Sequence, residues 1–212
     1  MGVRKVVTRS GLHVRGHFPS YKMGRMVSWE SQLERKCILY LEYSSAVLAY
    51  EEQPLVLEYS DGDGNARRAI PDFSARLSDG SKLLLEVKPS AKLLRAELAE
   101  KLRAVGMAAR NEGYSYLIVT DLELNREPLL SNLKDLIHHR PPISDLVHYQ
   151  EFMTRLPRDG INAGEAASRV GGMVTLRRMQ SLHLVHMNLR VPFNNDLAVM
   201  PYEGGSHEFL LH

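Results

Sequence analysis

The stretch IPDFSARLSDGSKLLLEVKP, residues 70–89, restricts the fold more than any other part of the chain. Two runs of strand-forming residues flank the tight-turn sequence SDGS, and this pattern predicts a β-hairpin. Successive side chains of a strand point to opposite faces of the sheet. Glu86 and Lys88 therefore share a face with Leu84, roughly 7 Å apart from each other. Two charged side chains on an otherwise apolar strand call for a chemical or structural reason.

The first strand of this hairpin carries a third charged side chain. If the two strands pair, Asp72 lies beside Glu86 and Lys88. Mg²⁺ and Mn²⁺ bind oxygen ligands, often two carboxylates with waters and phosphate, so the cluster can be a metal site. A neighbouring lysine can orient a water and stabilise developing negative charge. The alternative is a structural cluster in which Lys88 neutralises both carboxylates, and the hairpin alone leaves both explanations open.

The first predicted helix offers a further carboxylate. Its pattern predicts an N-cap at Ser28 and a helix that runs to about Tyr43. At about 100° per residue, Glu34 lies on the buried side of this helix, and a buried carboxylate needs a partner or a metal. Glu30 lies on the same side but in the first turn, where a carboxylate complements the helix dipole. We therefore take Glu34 as the candidate third acidic ligand and Glu30 as structural.

The flanking segments predict a layered α/β domain. Residues 47–60 read as two extended pieces hinged at Pro54, and residues 91–113 as one long amphipathic helix. Residues 114–120, YSYLIVT, predict a strand that is buried on both faces, and residues 126–140 predict another helix. The order of helix, strands, helix, strand and helix is typical of a mixed sheet flanked by helices.

The chain divides by composition into three parts. We predict a basic arm over residues 1–27, an α/β domain over 28–140, and a small C-terminal domain over 141–212 that begins near the pair Pro141 and Pro142. In the last part, helices are predicted at 146–156, 163–170 and 174–182, followed by strands at 182–191 and 195–202. Three helices followed by a hairpin are the outline of a winged-helix-like α+β domain.

The charge distribution is compatible with a polyanionic partner. The net charge is only +2, but residues 1–36 contain eight basic and two acidic residues. Such a segment can lie along nucleic acid, although a solvated tail explains it equally well. The candidate DNA-binding residues are Arg15, Lys22, Arg25, Arg177 and Arg178. No apolar run is long enough to span a bilayer, and the single cysteine fits a reducing cytoplasm.

The charged cluster is similar to a known motif. Pro71–Asp72, a spacer and then Glu86–Val87–Lys88 resemble the PD-(D/E)-X-K motif of restriction-endonuclease-like nucleases. The surrounding sequence narrows the resemblance to the TnsA family over roughly residues 20–140. The segments that carry it are MVSWESQLERKCILYLEYSSAVLAYEEQPLVLEY, IPDFSARLSDGSKLLLEVKPS and YLIVTD. TnsA proteins are the endonuclease subunits of heteromeric cut-and-paste transposases.

The resemblance implies a restriction-endonuclease-like fold and a set of functional residues. The active site would comprise Glu34, Asp72, Glu86 and Lys88. Glu34, Asp72, Glu86 and the backbone carbonyl of Val87 would bind Mg²⁺, for which Mn²⁺ would substitute. The role of Glu86 is the least certain of the four, because that position varies among acidic and amide residues in the family. Gln53, in the EQP segment, would be positional.

The resemblance also implies a reaction and partners. The protein would be a metal-dependent endonuclease that cleaves the 5′ ends of a transposon. It would act with a TnsB-like transposase and a TnsC-like AAA+ ATPase, in the cytoplasm of a prokaryote and at the nucleoid during transposition. Two alternatives remain: a stand-alone restriction or repair nuclease of the same fold, and a non-catalytic DNA-binding scaffold subunit.

Overall fold

The computed structural model describes residues 14–140, 149–202 and 208–211. These residues form two compact units, one of residues 14–125 with 208–211 and one of residues 126–140 with 149–202. The sequence instead placed residues 126–140 with the first domain, and its predicted boundary adjoins residues 141–148, which lie outside the described part. None of the helices in the described part is long and apolar enough to cross a bilayer.

The first unit opens with a β-hairpin. Strand β1 (Gly16–Ser20) pairs antiparallel with β2 (Arg25–Trp29). Phe18 and Val27 of this hairpin are buried. Residues 1–13 of the predicted arm lie outside the described residues, whereas residues 16–27 belong to a packed hairpin. The hairpin packs because one of its faces carries apolar side chains. The prediction of an arm rested on the number of basic residues and did not consider these side chains.

The first helix begins later than the sequence predicted. Helix α1 (Gln32–Tyr43) has Ser31 as its N-cap, and the Ser31 hydroxyl accepts a hydrogen bond from the Glu34 backbone N–H at 3.1 Å. The predicted N-cap, Ser28, is wrong because it lies within β2. Glu30 consequently precedes the helix and is exposed, instead of lying on the buried side of a first turn.

A four-stranded mixed sheet forms the centre of the first unit. Its order is β3–β6–β7–β8, with two antiparallel pairs and a parallel pair between β7 and β8. The strands are β3 (Val47–Glu52), β6 (Phe73–Leu77), β7 (Lys82–Val87) and β8 (Ser115–Val119). The predicted hairpin of β6 and β7 is confirmed, and its turn needs Gly80 because φ is 85° there. The mixed sheet predicted from the sequence is therefore present.

The remaining elements of this unit modify two predictions. Strands β4 (Leu57–Ser60) and β5 (Ala66–Ala69) form a separate hairpin. The predicted single helix over 91–113 is two helices, α2 (Ser90–Leu93) and α3 (Ala96–Asn111), because Arg95 has an extended backbone. Strand β8 ends the sheet order and is buried only at its last residue, so it is an edge strand instead of a doubly buried one. A short helix, α4 (Asp121–Leu124), follows it.

Helices α1 and α3 cover opposite faces of the sheet. Leu84 packs with Val105 and Ala109 of α3 on one face. Tyr50 of β3 shares the other face with Phe73 and donates a hydrogen bond from its hydroxyl to Glu42 of α1 at 2.8 Å. The first unit is thus a mixed sheet flanked by helices, which fits a nuclease fold.

The second unit combines helices with a small sheet. Its helices are α5 (Leu129–His138), α6 (Gln150–Arg155), α7 (Ala163–Val170) and α8 (Met173–Ser181). Its strands are β9 (Ile161–Asn162), β10 (Val185–His186) and β11 (Ala198–Pro201), arranged antiparallel in the order β10–β11–β9. The predicted bounds of α7 are confirmed, and those of α8 are shifted by one residue.

Helix α5 is joined to the rest of the second unit through one residue, and the strand after α8 is shorter than predicted. The Asn132 side-chain amide donates hydrogen bonds to the carbonyls of Leu189 and Val191, at 2.9 and 2.8 Å. These bonds connect α5 to the rest of the second unit. Strand β10 is limited to Val185–His186 and so is shorter than the predicted strand over 182–191; it starts late because Leu182 is the C-cap of α8 and His183 has a φ of 56°.

Candidate active site

The hairpin of β6 and β7 brings three of the predicted site residues together. Phe73 pairs with Leu85, so Asp72, one residue before β6, lies opposite Glu86 near the end of β7. Lys88 follows β7 directly, and its backbone N–H donates to the Val119 carbonyl at 3.0 Å. The cluster therefore lies where the central strand β6 begins and its neighbour β7 ends.

The ammonium of Lys88 is the centre of this cluster. Its Nζ lies 2.6 Å from Glu86 Oε1 and donates to Asp72 Oδ2 at 3.2 Å and to the Val87 carbonyl at 3.1 Å. The Val87 backbone N–H also donates to Asp72 Oδ2, at 2.7 Å. Between 14 and 26% of each charged side chain remains exposed. Three oxygens from three residues thus converge on one positive charge at a half-buried place.

The electrostatics of the cluster reflect burial and crowded charge. Burial and the neighbouring charge of Asp72 together raise the pKa of Glu86, and the ammonium of Lys88 offsets only part of that effect. For Lys88, burial opposes the charged form, but Asp72 and Glu86 outweigh it and raise the pKa of the ammonium. The lysine is therefore held protonated between the two carboxyl groups.

These residues fit a hard divalent cation. Mg²⁺ and Mn²⁺ select carboxylate and carbonyl oxygens, and the oxygens around Lys88 Nζ are two carboxylates and one backbone carbonyl. Over the described ranges, no group of three His, Cys, Asp or Glu side chains is arranged to hold a metal ion. A metal here would therefore rely on the Val87 carbonyl as well as on side chains.

Glu34 makes contacts that the sequence analysis did not foresee. Its carboxylate accepts hydrogen bonds from the Glu30 backbone N–H at 2.6 Å and from the Ser31 hydroxyl at 2.9 Å. Together with the Ser31 N-cap, these bonds satisfy donors at the start of α1. Burial, and in a smaller measure the charge of Asp72, raise the pKa of Glu34 against those hydrogen bonds. Glu34 thus lies within electrostatic reach of Asp72, but its oxygens bind the start of its own helix.

Gln53 supports the backbone of the site. Its N–H donates to the Asp72 carbonyl at 2.9 Å, and its φ of 45° places it in the left-handed region. A non-glycine residue in that region is strained, and such strain is held in place by the surrounding structure. The contact with Asp72 agrees with the positional role predicted for Gln53.

A comparison with protein families covers this part of the chain. Residues 44–121 match the family described as TnsA-like endonuclease N terminal. This chain carries a TnsA-like endonuclease domain. The matched segment runs from the C-cap of α1 to the first residue of α4 and contains Asp72, Glu86 and Lys88, whereas Glu34 precedes it. No curated protein matches the chain. The resemblance noted in the sequence is confirmed over residues 44–121, and this match supports a transposase-associated endonuclease.

Two of the three candidate DNA-binding residues before the TnsA-like domain are engaged in structural contacts. The Lys22 ammonium donates to the carbonyls of Leu41 and Ser44, at 2.8 and 2.7 Å, and so satisfies the C-terminal end of α1. Arg25 forms a two-bond ion pair with Glu52, at 2.9 and 2.6 Å. Arg15 is exposed. DNA binding by these residues stays a prediction. The positive charges of Lys22 and Arg25 also have a structural use, because they bind carbonyl and carboxylate oxygens of the same unit.

The two arginines of α8 differ from each other. Arg177 lies 3.1 Å from Asp135 of α5, and its guanidinium is 5.2 Å from the centroid of the Phe193 ring. Arg178 is exposed. Of the two predicted DNA contacts in the second unit, Arg178 alone presents its side chain mainly to solvent.

The sequence analysis missed a buried carboxylate on α1. Glu42 is fully buried and accepts hydrogen bonds from the hydroxyls of Ser20 and Tyr50, at 2.7 and 2.8 Å. It also accepts the backbone N–H groups of Tyr21 and Lys22, at 2.9 and 3.1 Å. Glu42 therefore joins the first helix, the first hairpin and the central sheet. No local motif signals this role, because the partners lie about twenty residues before Glu42 or on β3.

Proposed function

We propose that this protein is a metal-dependent DNA endonuclease that cleaves the 5′ ends of a transposon. It acts in cut-and-paste transposition with a TnsB-like transposase and a TnsC-like AAA+ ATPase. The observation that carries the proposal is the convergence of Asp72 Oδ2, Glu86 Oε1 and the Val87 carbonyl on one cation within the TnsA-like domain. Asp72, Glu86 and Val87 would hold Mg²⁺, or Mn²⁺ in its place.

The reaction is hydrolysis of a phosphodiester. A water oxygen bonds to phosphorus, one ester P–O bond breaks, the water gives up a proton, and the departing oxygen takes up a proton. A bound divalent cation supplies charge neutralisation and lowers the pKa of a water. Lys88, beside Asp72, would orient the water or stabilise negative charge on the phosphate. Glu34 would act as an additional ligand if its carboxylate turned toward Asp72 from the Glu30 N–H and the Ser31 hydroxyl.

The decisive experiment uses a labelled transposon-end duplex, the purified chain, the two partners, ATP and Mg²⁺ or Mn²⁺. We expect a nick at the 5′ end that requires the metal, the TnsB-like partner and Asp72. Cutting without any partner would favour the stand-alone nuclease. DNA binding without cutting, even with the ATPase present, would favour the scaffold alternative, in which Lys88 serves only to neutralise Asp72 and Glu86.

The second unit is proposed to bind DNA as a winged-helix-like domain. Strand β9 lies between α6 and α7 in sequence and pairs with β11, which pairs with β10, and this order supports the assignment. Helix α8 would then face the DNA, with Arg178 on a phosphate.

Replacing Arg178 tests this domain. We expect Arg178→Ala to weaken DNA binding for all sequences and to lower the slope of log Kobs against log salt by about 0.9, the value for one phosphate contact. Fluorescence anisotropy over a salt series measures both. Arg177→Ala serves as the neighbouring control, since loss of its Asp135 contact should lower thermal stability with the salt slope unchanged. An unchanged slope in Arg178→Ala would contradict a DNA contact there.

A further inference from the structure

The contacts of Lys88 bear on how a metal enters the site. Its Nζ touches two carboxylate oxygens and one carbonyl oxygen, at 2.6, 3.2 and 3.1 Å. These are the three groups that the proposed function assigns to the metal. A divalent ion would bind them at roughly 2.0–2.6 Å, so the ion and the ammonium would occupy the same place.

We infer that Lys88 is an internal competitor of the metal: its ammonium fills the cation position in the metal-free protein and is displaced when a divalent ion binds. The inference rests on the proposed function. An ammonium and a dication cannot share one set of oxygens, because the two positive charges would lie a few ångströms apart in a half-buried place. The ordered exchange also gives the lysine two successive roles, first as counter-charge and then as a group free to meet the phosphate.

The surrounding structure allows this exchange. About a quarter of the Lys88 side chain is exposed, so a path to solvent is open to its flexible four-carbon stem. Asp72 does not depend on the lysine alone for its position, since the Val87 backbone N–H donates to the same carboxylate at 2.7 Å. Displacement of the ammonium therefore leaves the Asp72 carboxylate held by the backbone of β7.

Lys101 provides a matched control for simple electrostatics. It is exposed, and its charge lowers the pKa of Glu86 in a small measure without an ion pair or hydrogen bond to that residue among the described contacts. Loss of either lysine removes one positive charge near the carboxylates. Only loss of Lys88 removes a group from the cation position itself.

The test measures binding of Ca²⁺ to the full chain by calorimetry, without DNA and without any cleavage. We expect Lys88→Met to lower the Kd for Ca²⁺ by about tenfold or more. In the wild type, Ca²⁺ must first break the hydrogen bonds of the Lys88 ammonium, and the loss of even one charge-assisted hydrogen bond corresponds to roughly that factor. Lys101→Met should change the Kd by less than about threefold, as a long-range effect of an exposed charge. In ¹⁵N spectra of the wild type, the hydrogen-bonded Lys88 ammonium signal should disappear on Ca²⁺ addition.

The possible outcomes separate the inference from the proposed function. An equal or weaker Ca²⁺ affinity in Lys88→Met, with Asp72→Ala abolishing binding, would overturn the competition and leave the metal site standing. Equal gains in Ca²⁺ affinity in Lys88→Met and Lys101→Met would show that the gain comes from general electrostatics. That result would also overturn the competition. Absence of saturable binding of Ca²⁺, Mg²⁺ or Mn²⁺ to every variant would overturn both. Circular dichroism checks folding, and Lys88→Gln replaces Lys88→Met if that variant is unfolded.

Discussion

Replacing Asp72 with asparagine is expected to reduce DNA cleavage on the order of a thousandfold while the fold stays intact. The Asp72 carboxylate meets both the Lys88 ammonium and the Val87 N–H. An asparagine keeps the size and one oxygen but loses the negative charge that a divalent ion requires. Loss of several kcal/mol of transition-state stabilisation corresponds to this factor in rate. Cleavage of the labelled duplex under single-turnover conditions, alongside a thermal melt, measures both properties.

Glu30→Ala is the control for this experiment. Glu30 is exposed and precedes α1; its backbone N–H donates to Glu34, and its charge adds only the smallest of the effects that raise the pKa of Glu34. Its side chain can therefore be removed with cleavage largely unchanged. If Asp72→Asn retained full activity, the proposed active site would be wrong, whatever the result for the control.

Replacing Glu42 with alanine is expected to destabilise the first unit by about 3 kcal/mol or more. Four hydrogen-bond donors surround its buried carboxylate, from Ser20, Tyr21, Lys22 and Tyr50. Each buried donor left without a partner costs about 1–3 kcal/mol, and water can reach only some of them. For a chain of this size, such a loss lowers the thermal midpoint by roughly 6–12 °C. Differential scanning calorimetry measures this shift.

Glu58→Ala supplies the matched control for Glu42. Glu58 pairs with Arg68 at 3.0 Å, but both side chains are more than two-thirds exposed. Exposed ion pairs of this kind contribute little, so no measurable change in the midpoint is expected. A midpoint for Glu42→Ala equal to that of the wild type would show that the hydrogen bonds to this carboxylate do not stabilise the unit.

The charged cluster and its strands could be predicted because they depend on local rules. The SDGS turn fixes the register of β6 against β7, and the two-residue alternation then brings Asp72 next to Glu86 and Lys88. The N-cap of α1 was predicted incorrectly for an equally local reason. Ser28 and Ser31 are both good N-cap residues, and the hairpin that takes Ser28 into β2 became evident only in the structure.

The basic residues show that composition does not reveal the partners of a charged side chain within the fold. Lys22 and Arg25 belong to a positively charged segment, which favoured DNA as their partner. In the fold, Lys22 binds the carbonyls at the end of α1 and Arg25 binds Glu52. A count of charges does not contain these partners, because each lies about twenty or more residues away in sequence.

The sequence by itself determined the β6–β7 hairpin, its charged cluster and the mixed sheet flanked by helices. Turn chemistry and strand alternation act over a few residues, and one sequence contains them completely. Only the tertiary structure decided that Lys88 lies among all three oxygens and that Glu42 is buried. On the helix surface Glu42 lies about 180° from Leu33, away from the apolar side. It becomes buried because the β1–β2 hairpin folds over it, and such long-range packing leaves no local pattern.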